Sequence, residues 1–315
     1  MYGKQELVKR ILELKQERNA VILAHNYQLG EVQDIADFSG DSLELSRMAK
    51  DIPADVIVFC GVHFMAETAA LLSPTKTVLL PDLNAGCPMA DMADADVLMS
   101  LRKKHPDALV VCYVNSTAAV KAISDVCCTS ANAVDVVSRI PEDKDVIFVP
   151  DKYLGQHVER MTGRRLILWD GHCPTHVRLQ PEHVHRAREQ YPGAAIIVHP
   201  ESRPDVCELA DEVLSTGGMC RFSSETEKDV IVVGTETGLL HRLKRENPKK
   251  TFIPLLEQAV CPNMKLINLE KVLWALEEMQ YQIKIPDRVS KDARRAIDNM
   301  LGSGPITGSE VSIDR

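Results

Sequence analysis

Three Cys-Pro pairs, Cys87-Pro88, Cys173-Pro174 and Cys261-Pro262, recur along this chain 86 and 88 residues apart. Each follows an apolar run: Val78-Leu79-Leu80-Pro81, Leu166-Ile167-Leu168-Trp169 and Phe252-Ile253-Pro254-Leu255-Leu256. A fixed period means one structural unit written several times, which restricts the fold more than any composition can. Two further sets of landmarks keep the same period. His25, Tyr113 and His199 are 88 and 86 residues apart, each at the end of an apolar run. Ser42, Ser130 and Thr216 are also 88 and 86 apart, each at the start of a helical pattern.

Within the first period, a helical pattern over 5–17 precedes an apolar strand over 20–24. Ser39-Gly40-Asp41-Ser42 then opens a second helix, as a helix start should. A strand over 56–59, a helix over 64–72 and a strand over 77–80 follow. The second and third periods repeat this order, with Cys128-Thr129-Ser130 and Ser215-Thr216-Gly217-Gly218 opening the matching helices. Segments 20–87, 108–173 and 195–261 are therefore expected to form the same three-stranded parallel unit. Short apolar strands alternating with helices imply parallel sheets covered on both faces. Ligands of such sheets bind beyond the carboxyl ends of the strands. The expected fold is α/β, with three αβα domains (1–88, 89–175 and 176–262) in pseudo-threefold array, each with a small parallel sheet, around a central active-site cavity. Residues 263–315 read as a C-terminal helical extension resembling a truncated fourth repeat, with a helix over 269–279, a strand over 282–285 and a helix over 290–301, packed on the first domain. The tail 302–315 is expected to be loose at its end.

A chain of 315 residues can bury a large core in more than one domain. A charged content of 26% and ordinary apolar content fit a globular protein, and a net charge of −8 argues against a nucleic-acid partner. No stretch reaches the length of a membrane span. The first eighteen residues are charged and lack the apolar core of a signal peptide. Both readings point to the cytoplasm, where thiols stay reduced. The nine cysteines are then apolar packing groups or metal ligands, and no Cys-x-x-Cys occurs among them.

Three thiolates brought to one point form a metal site. They suit an iron–sulfur cluster with one iron lacking a protein ligand, since full ligation takes four thiolates. That iron would act as a Lewis acid. Zinc held by three thiolates, with His176 three residues after Cys173 as a fourth candidate, is the other metal reading. A single free cysteine is more often a small buried apolar group. Three at equivalent repeat positions are poorly explained that way, whereas Cys60, Cys112, Cys127, Cys128, Cys207 and Cys220 do not repeat and are assigned to packing. His25, Tyr27, Tyr113, Asn115, His199 and Glu201 cluster at the ends of the three first strands. Phenols and imidazoles there suit proton transfer. Ser42, Ser130 and Thr216 serve as helix caps, and the helix starts they mark also present free N–H groups to an anion.

These residues, together with Ala24-His25-Asn26-Tyr27-Gln28, Gly40-Asp41-Ser42, Tyr113-Val114-Asn115-Ser116, Cys127-Cys128-Thr129-Ser130-Ala131-Asn132-Ala133, His199-Pro200-Glu201 and Gly234-Thr235-Glu236-Thr237-Gly238, make the chain similar to the quinolinate synthase family over essentially its whole length. The resemblance implies a transferase of de novo NAD biosynthesis that condenses iminoaspartate with dihydroxyacetone phosphate, releasing phosphate and two waters. It implies a [4Fe–4S] cluster with three Cys ligands and one open iron, used without redox change, and a functional link to L-aspartate oxidase or aspartate dehydrogenase. Carried onto this chain, Cys87, Cys173 and Cys261 are the ligands. Tyr27, Tyr113 and Glu201 are the acid–base residues. His25, Ser42, Asn115, Ser130, His199 and Thr216 bind carboxylate and phosphate groups, with His176 near the cluster. Some members carry extra cysteines just after the third ligand for redox control, but here Pro262-Asn263-Met264 follows. A non-catalytic iron–sulfur sensor and a cluster-dependent hydro-lyase are the competing classes. The tyrosines argue against the sensor, which has no need of acid–base groups.

Overall fold

Each apolar run before a Cys-Pro pair forms the fourth strand of a parallel sheet, where three strands were expected. The computed structural model describes residues 3–306 and 308, so most of the tail expected to be loose lies outside the described residues. The first unit comprises α1 (Lys4–Glu17), β1 (Ala20–His25), α2 (Gly30–Ile35), β2 (Phe38–Gly40), α3 (Ser42–Asp51), β3 (Val56–Cys60), α4 (His63–Leu72) and β4 (Thr77–Leu79). The second comprises α5 (Pro88–Asp91), α6 (Ala95–Lys104), β5 (Leu109–Tyr113), α7 (Ala118–Ala122), β6 (Val126–Cys128), α8 (Ala133–Ser138), β7 (Val146–Val149), α9 (Lys152–Thr162) and β8 (Ile167–Leu168). The third comprises α10 (Pro181–Gln190), β9 (Ala195–Val198), α11 (Pro204–Leu209), β10 (Glu212–Val213), α12 (Thr216–Glu225), β11 (Val230–Gly234), α13 (Leu239–Glu246) and β12 (Thr251–Pro254). Two helices follow, α14 (Leu269–Glu278) and α15 (Asp287–Leu301).

The strand orders are β2-β1-β3-β4, β6-β5-β7-β8 and β10-β9-β11-β12, and every pairing between these strands is parallel. The strands missed from sequence are β2, β6 and β10. They are edge strands of two or three residues, too short to show a period-two pattern. Their presence moves Cys128 to the end of β6, so the helix expected there begins only at Ala133.

Apolar β-branched runs give the central strands two buried faces. In the third sheet Ile197, Ile231 and Val233 face a core shared with the other two units. Ile196, Val198 and Val232, one residue out of step, face a smaller separate core with Val184 and Ala187 of α10 and Val206 of α11. Burying one such side chain contributes about 1.5–3 kcal/mol.

After α14, which packs on α1 and β3, the expected strand over 282–285 reduces to a single antiparallel bridge between Gln282 and Leu79. The Leu80 N–H donates to the Tyr281 carbonyl at 2.9 Å, so this segment covers the free edge of β4 and starts no fourth sheet. Helix α15 buries Ala293, Ala296, Ile297 and Met300. It lies against α7 and β6 of the second unit and α4 of the first. Arg294 donates to the Leu71 carbonyl and Asn299 to the Asp125 carbonyl. Among the described residues, no helix is long and apolar enough to cross a membrane.

Candidate active site

The carboxyl ends of the three sheets face one cavity. All thirteen site residues read from the sequence lie on its wall: His25, Tyr27, Ser42, Cys87, Tyr113, Asn115, Ser130, Cys173, His176, His199, Glu201, Thr216 and Cys261. Asp41, Phe64, Met65, Glu236 and Met264 complete much of the remaining surface.

Local backbone geometry aims the polar groups. In the first unit the Tyr27 N–H donates to His25 Nδ1 at 3.2 Å. In the third, the Glu201 N–H donates to His199 Nδ1 at 3.3 Å. The same bond at equivalent positions leaves Nε2 as the protonated nitrogen of each ring. His199 Nε2 then donates to Ser130 Oγ at 3.2 Å, across the boundary between units. Burial lowers both rings to pKa values of about 3, so His25 and His199 are neutral. The second unit places Tyr113 at this position, and its hydroxyl donates to Glu201 Oε1 at 2.5 Å. Asn115 Nδ2 donates to the same oxygen at 3.3 Å.

The second Glu201 oxygen lies 2.7 Å from His176 Nδ1, which is also 3.1 Å from Cys173 Sγ. On the far side of that ring, Nε2 meets Thr235 Oγ1 at 2.8 Å, and Thr235 Oγ1 meets Tyr27 Oη at 2.6 Å. A continuous path thus runs from Tyr27 through Thr235 and His176 to Glu201 and Tyr113. Burial, reinforced by Glu201, holds both phenols well above their usual range, so they stay protonated. Burial also pushes Glu201 upward, but His176, His199 and the Tyr113 hydroxyl outweigh it, and the carboxylate stays ionised.

The three cysteines follow the last strands of their units. Cys87 is the residue before α5, and Cys173 and Cys261 lie on loops. Each is a half-buried free thiol on the cavity wall, whereas the other six cysteines are buried elsewhere. Cys87 feels the charge of Cys261, and Cys173 that of Cys87, so the three are electrostatic neighbours. Burial pushes Cys87 up to about 12, which makes a thiolate there dependent on a bound cation. Asn263 Nδ2 donates to the Gly86 carbonyl at 2.8 Å and ties the first cysteine loop to the third. Glu236 Oε1 accepts the Cys261 N–H at 3.1 Å and Lys265 Nζ at 2.9 Å. Lys265 also donates to the Tyr27 carbonyl at 2.5 Å.

Helices α3 and α12 point their first turns at the same end of the cavity. Asp41 caps α3 in a capping box with Glu44, and Ser215 caps α12. The two starts abut, with Ser215 Oγ 3.4 Å from Asp41 Oδ2. A Cβ on Gly217 would fall 2.6 Å from that oxygen, so this approach needs glycine. Ser42 and Thr216 are first helical residues, and Asn26 Nδ2 donates to Thr216 Oγ1 at 3.0 Å. Ser130 differs from its counterparts. It sits in a turn where the Thr129 N–H donates to Asn132 Oδ1 at 2.7 Å, three residues before α8. Sequence reasoning assigned no role to Thr235, Glu236, Lys265 or Asp41. The signal for the first two was their place just past the end of β11, where the other strand-end groups cluster.

The family model described as quinolinate synthetase A protein matches residues 9–302. A quinolinate synthase of Dehalococcoides mccartyi is 56% identical over 298 residues, covering 94% of this chain and 98% of that protein. Quinolinate synthase 1 of Methanosarcina acetivorans is 54% identical over 296 residues, with 94% and 97% covered. A quinolinate synthase of Thermus thermophilus is 52% identical over 309 residues, with 95% and 98% covered.

Proposed function

The chain belongs to the quinolinate synthetase A family, and on that premise we propose that it condenses iminoaspartate with dihydroxyacetone phosphate to give quinolinate, phosphate and two waters, the step that feeds de novo NAD biosynthesis. The observation that carries this reading is the convergence of three equivalent thiols and two linked tyrosine–acceptor pairs on one wall. Three thiols from three units, with no fourth cysteine on that wall among the described residues, fit a [4Fe–4S] cluster held by Cys87, Cys173 and Cys261. When bound, such a cluster supplies an iron without a cysteine, which polarises a carbonyl, hydroxyl or carboxylate oxygen as a Lewis acid.

The remaining roles belong to the chain's own side chains. The α3 and α12 starts, with Ser42 and Thr216, offer N–H and hydroxyl donors to a phosphate or carboxylate. Ser130, Asn115 and the neutral rings of His25 and His199 orient the other polar groups of the substrates. Glu201 is ionised and hydrogen-bonded to Tyr113, so it takes up a proton as the phenol delivers one. Tyr27 passes its proton through Thr235 to His176 Nε2 while His176 gives its Nδ1 proton to the Glu201 carboxylate, and reversal of the same path restores the phenol. Phe64, Met65, Met89 and Met264 keep the wall between these groups dry. Iminoaspartate is an unstable imine, so an enzyme that oxidises aspartate, an L-aspartate oxidase or an aspartate dehydrogenase in the same cytoplasm, is its natural source.

Anaerobic protein supplied with dihydroxyacetone phosphate and freshly generated iminoaspartate should release quinolinate, identified by mass, and phosphate in equal amounts. Binding of either compound without product would favour a sensor. Dehydration of a hydroxy acid in place of condensation would favour a hydro-lyase.

A further inference from the structure

We infer that Cys173, His176 and Glu201 form a second metal site, which holds a single zinc ion in protein that lacks a cluster. Their ligand atoms all lie within 4.8 Å of one another. The set mixes thiolate, imidazole and carboxylate, the donors zinc prefers in four-coordinate sites. Tetrahedral zinc, with bonds of roughly 2.0–2.3 Å, separates its ligand atoms by roughly 3.3–3.6 Å. His176 Nδ1 is now 3.1 Å from Cys173 Sγ and 2.7 Å from Glu201 Oε2, so an ion needs only a modest spreading of groups already in place.

Each ligand has the outer support that metal ligands usually have. His176 turns its other nitrogen, Nε2, to Thr235 Oγ1 at 2.8 Å, so a metal that displaces the Nδ1 proton leaves an Nε2–H with an acceptor already in place. Glu201 spends Oε1 on Tyr113 and Asn115 and leaves Oε2 facing His176. Cys173 and His176 share one chain turn, closed by the Val177 N–H on the Cys173 carbonyl at 3.1 Å. The His199 ring stacks on His176 with centroids 4.7 Å apart and limits its rotation. His176 and Glu201 are almost wholly buried. A thiolate, a carboxylate and a dication sum to zero charge, so the filled site carries no uncompensated charge. The fourth position opens to the cavity.

The consequence is exclusion. Cys173 cannot serve both sites, so zinc occupies the protein in a form that cannot also hold the three-cysteine cluster. The zinc site rests on the ligand geometry, and only the exclusion rests on the proposed cluster.

The test is a zinc titration of full-length, iron-free, reduced protein against a competing chromophoric chelator under anaerobic conditions. One equivalent should bind. Cys173→Ala, His176→Ala and Glu201→Gln should each weaken binding by more than about 100-fold, and Thr235→Val by about 10–100-fold. Cys87→Ala and Cys261→Ala should bind zinc like the parent, although both lose the cluster ligand set. Cobalt(II) in the parent protein gives a variant-free check, because a sulfur-to-cobalt absorption of one-thiolate strength is expected. Three-thiolate strength, equal loss of zinc in Cys87→Ala or Cys261→Ala, or no stoichiometric binding would overturn the assignment.

Discussion

Replacing Thr235 by valine removes one hydroxyl and little volume, yet it cuts the path between Tyr27 and His176. The hydroxyl contacts Tyr27 Oη at 2.6 Å and His176 Nε2 at 2.8 Å. Without it, the two remaining atoms face each other at 3.4 Å, too far for a good hydrogen bond until one of them moves. Each buried polar group left without a partner costs about 1–3 kcal/mol. The pair can close part of the gap, so the stability loss should fall near about 2 kcal/mol, and the chain should remain folded. The kinetic effect should be larger in relative terms, because losing assisted proton transfer costs about 10²–10⁴-fold. A loss of 10²-fold corresponds to about 2.7 kcal/mol of barrier. Serine at this position keeps the hydroxyl and loses only a methyl group, so Thr235→Ser should retain most turnover. The assay is quinolinate formed per cluster, with iron and sulfide measured in each preparation so that lost cofactor is not read as lost chemistry. A valine variant that works at the parent rate with full iron would refute the path, and a serine variant as impaired as valine would assign the effect to packing.

Tyr27→Phe, Tyr113→Phe and Glu201→Gln should each keep iron and fold while losing about 10²–10⁴-fold in turnover; parental rates in both tyrosine variants would remove the acid–base assignment. Alanine at Cys87, Cys173 or Cys261 should abolish the brown, iron- and sulfide-containing form, while alanine at any of the other six cysteines should preserve it, as metal analysis would show. His25 and His199 have folded pKa values of about 3, below the unfolded value of about 6.5. The unfolded chain therefore takes up protons first, and stability, complete above about pH 6.5, should fall toward about pH 3 by up to roughly 1.4 kcal/mol per pH unit for each ring. Urea midpoints between pH 7.5 and 5 check this, and a His25→Asn, His199→Asn double variant with an unchanged slope would contradict it. Ile196→Ala should cost about 2–5 kcal/mol, and hydrogen exchange should show the opening concentrated under α10 and α11, because Ile196 faces the separate core of the third unit.

The period was legible because it rests on residues whose chemistry is uncommon at strand ends. A cysteine before proline, a serine or threonine after a short polar run, and a histidine or tyrosine closing an apolar run can be counted without knowing the fold. The wall of the cavity follows from them, since equivalent strand ends in three equivalent sheets converge. What stayed hidden was local and short. Phe38–Gly40 and Glu212–Val213 form strands only because a central strand supplies their hydrogen-bond partners. Ser130 shares the period of Ser42 and Thr216, but Cys127 and Cys128 extend a strand instead of opening a helix, so equal spacing did not mean equal local structure. Thr235 carries no signature of its own. Its importance comes from two partners, 208 and 59 residues away in the chain, that no local pattern connects to it.

Helix α15 lies against α4 of the first unit and α7 and β6 of the second, and it follows all three sheets in the chain. On the ribosome, the residues that clamp the first two units together are therefore made after every thiol of the cavity already exists. Until α15 emerges and docks, Cys87 and Cys173 belong to units joined by less apolar contact than in the finished molecule.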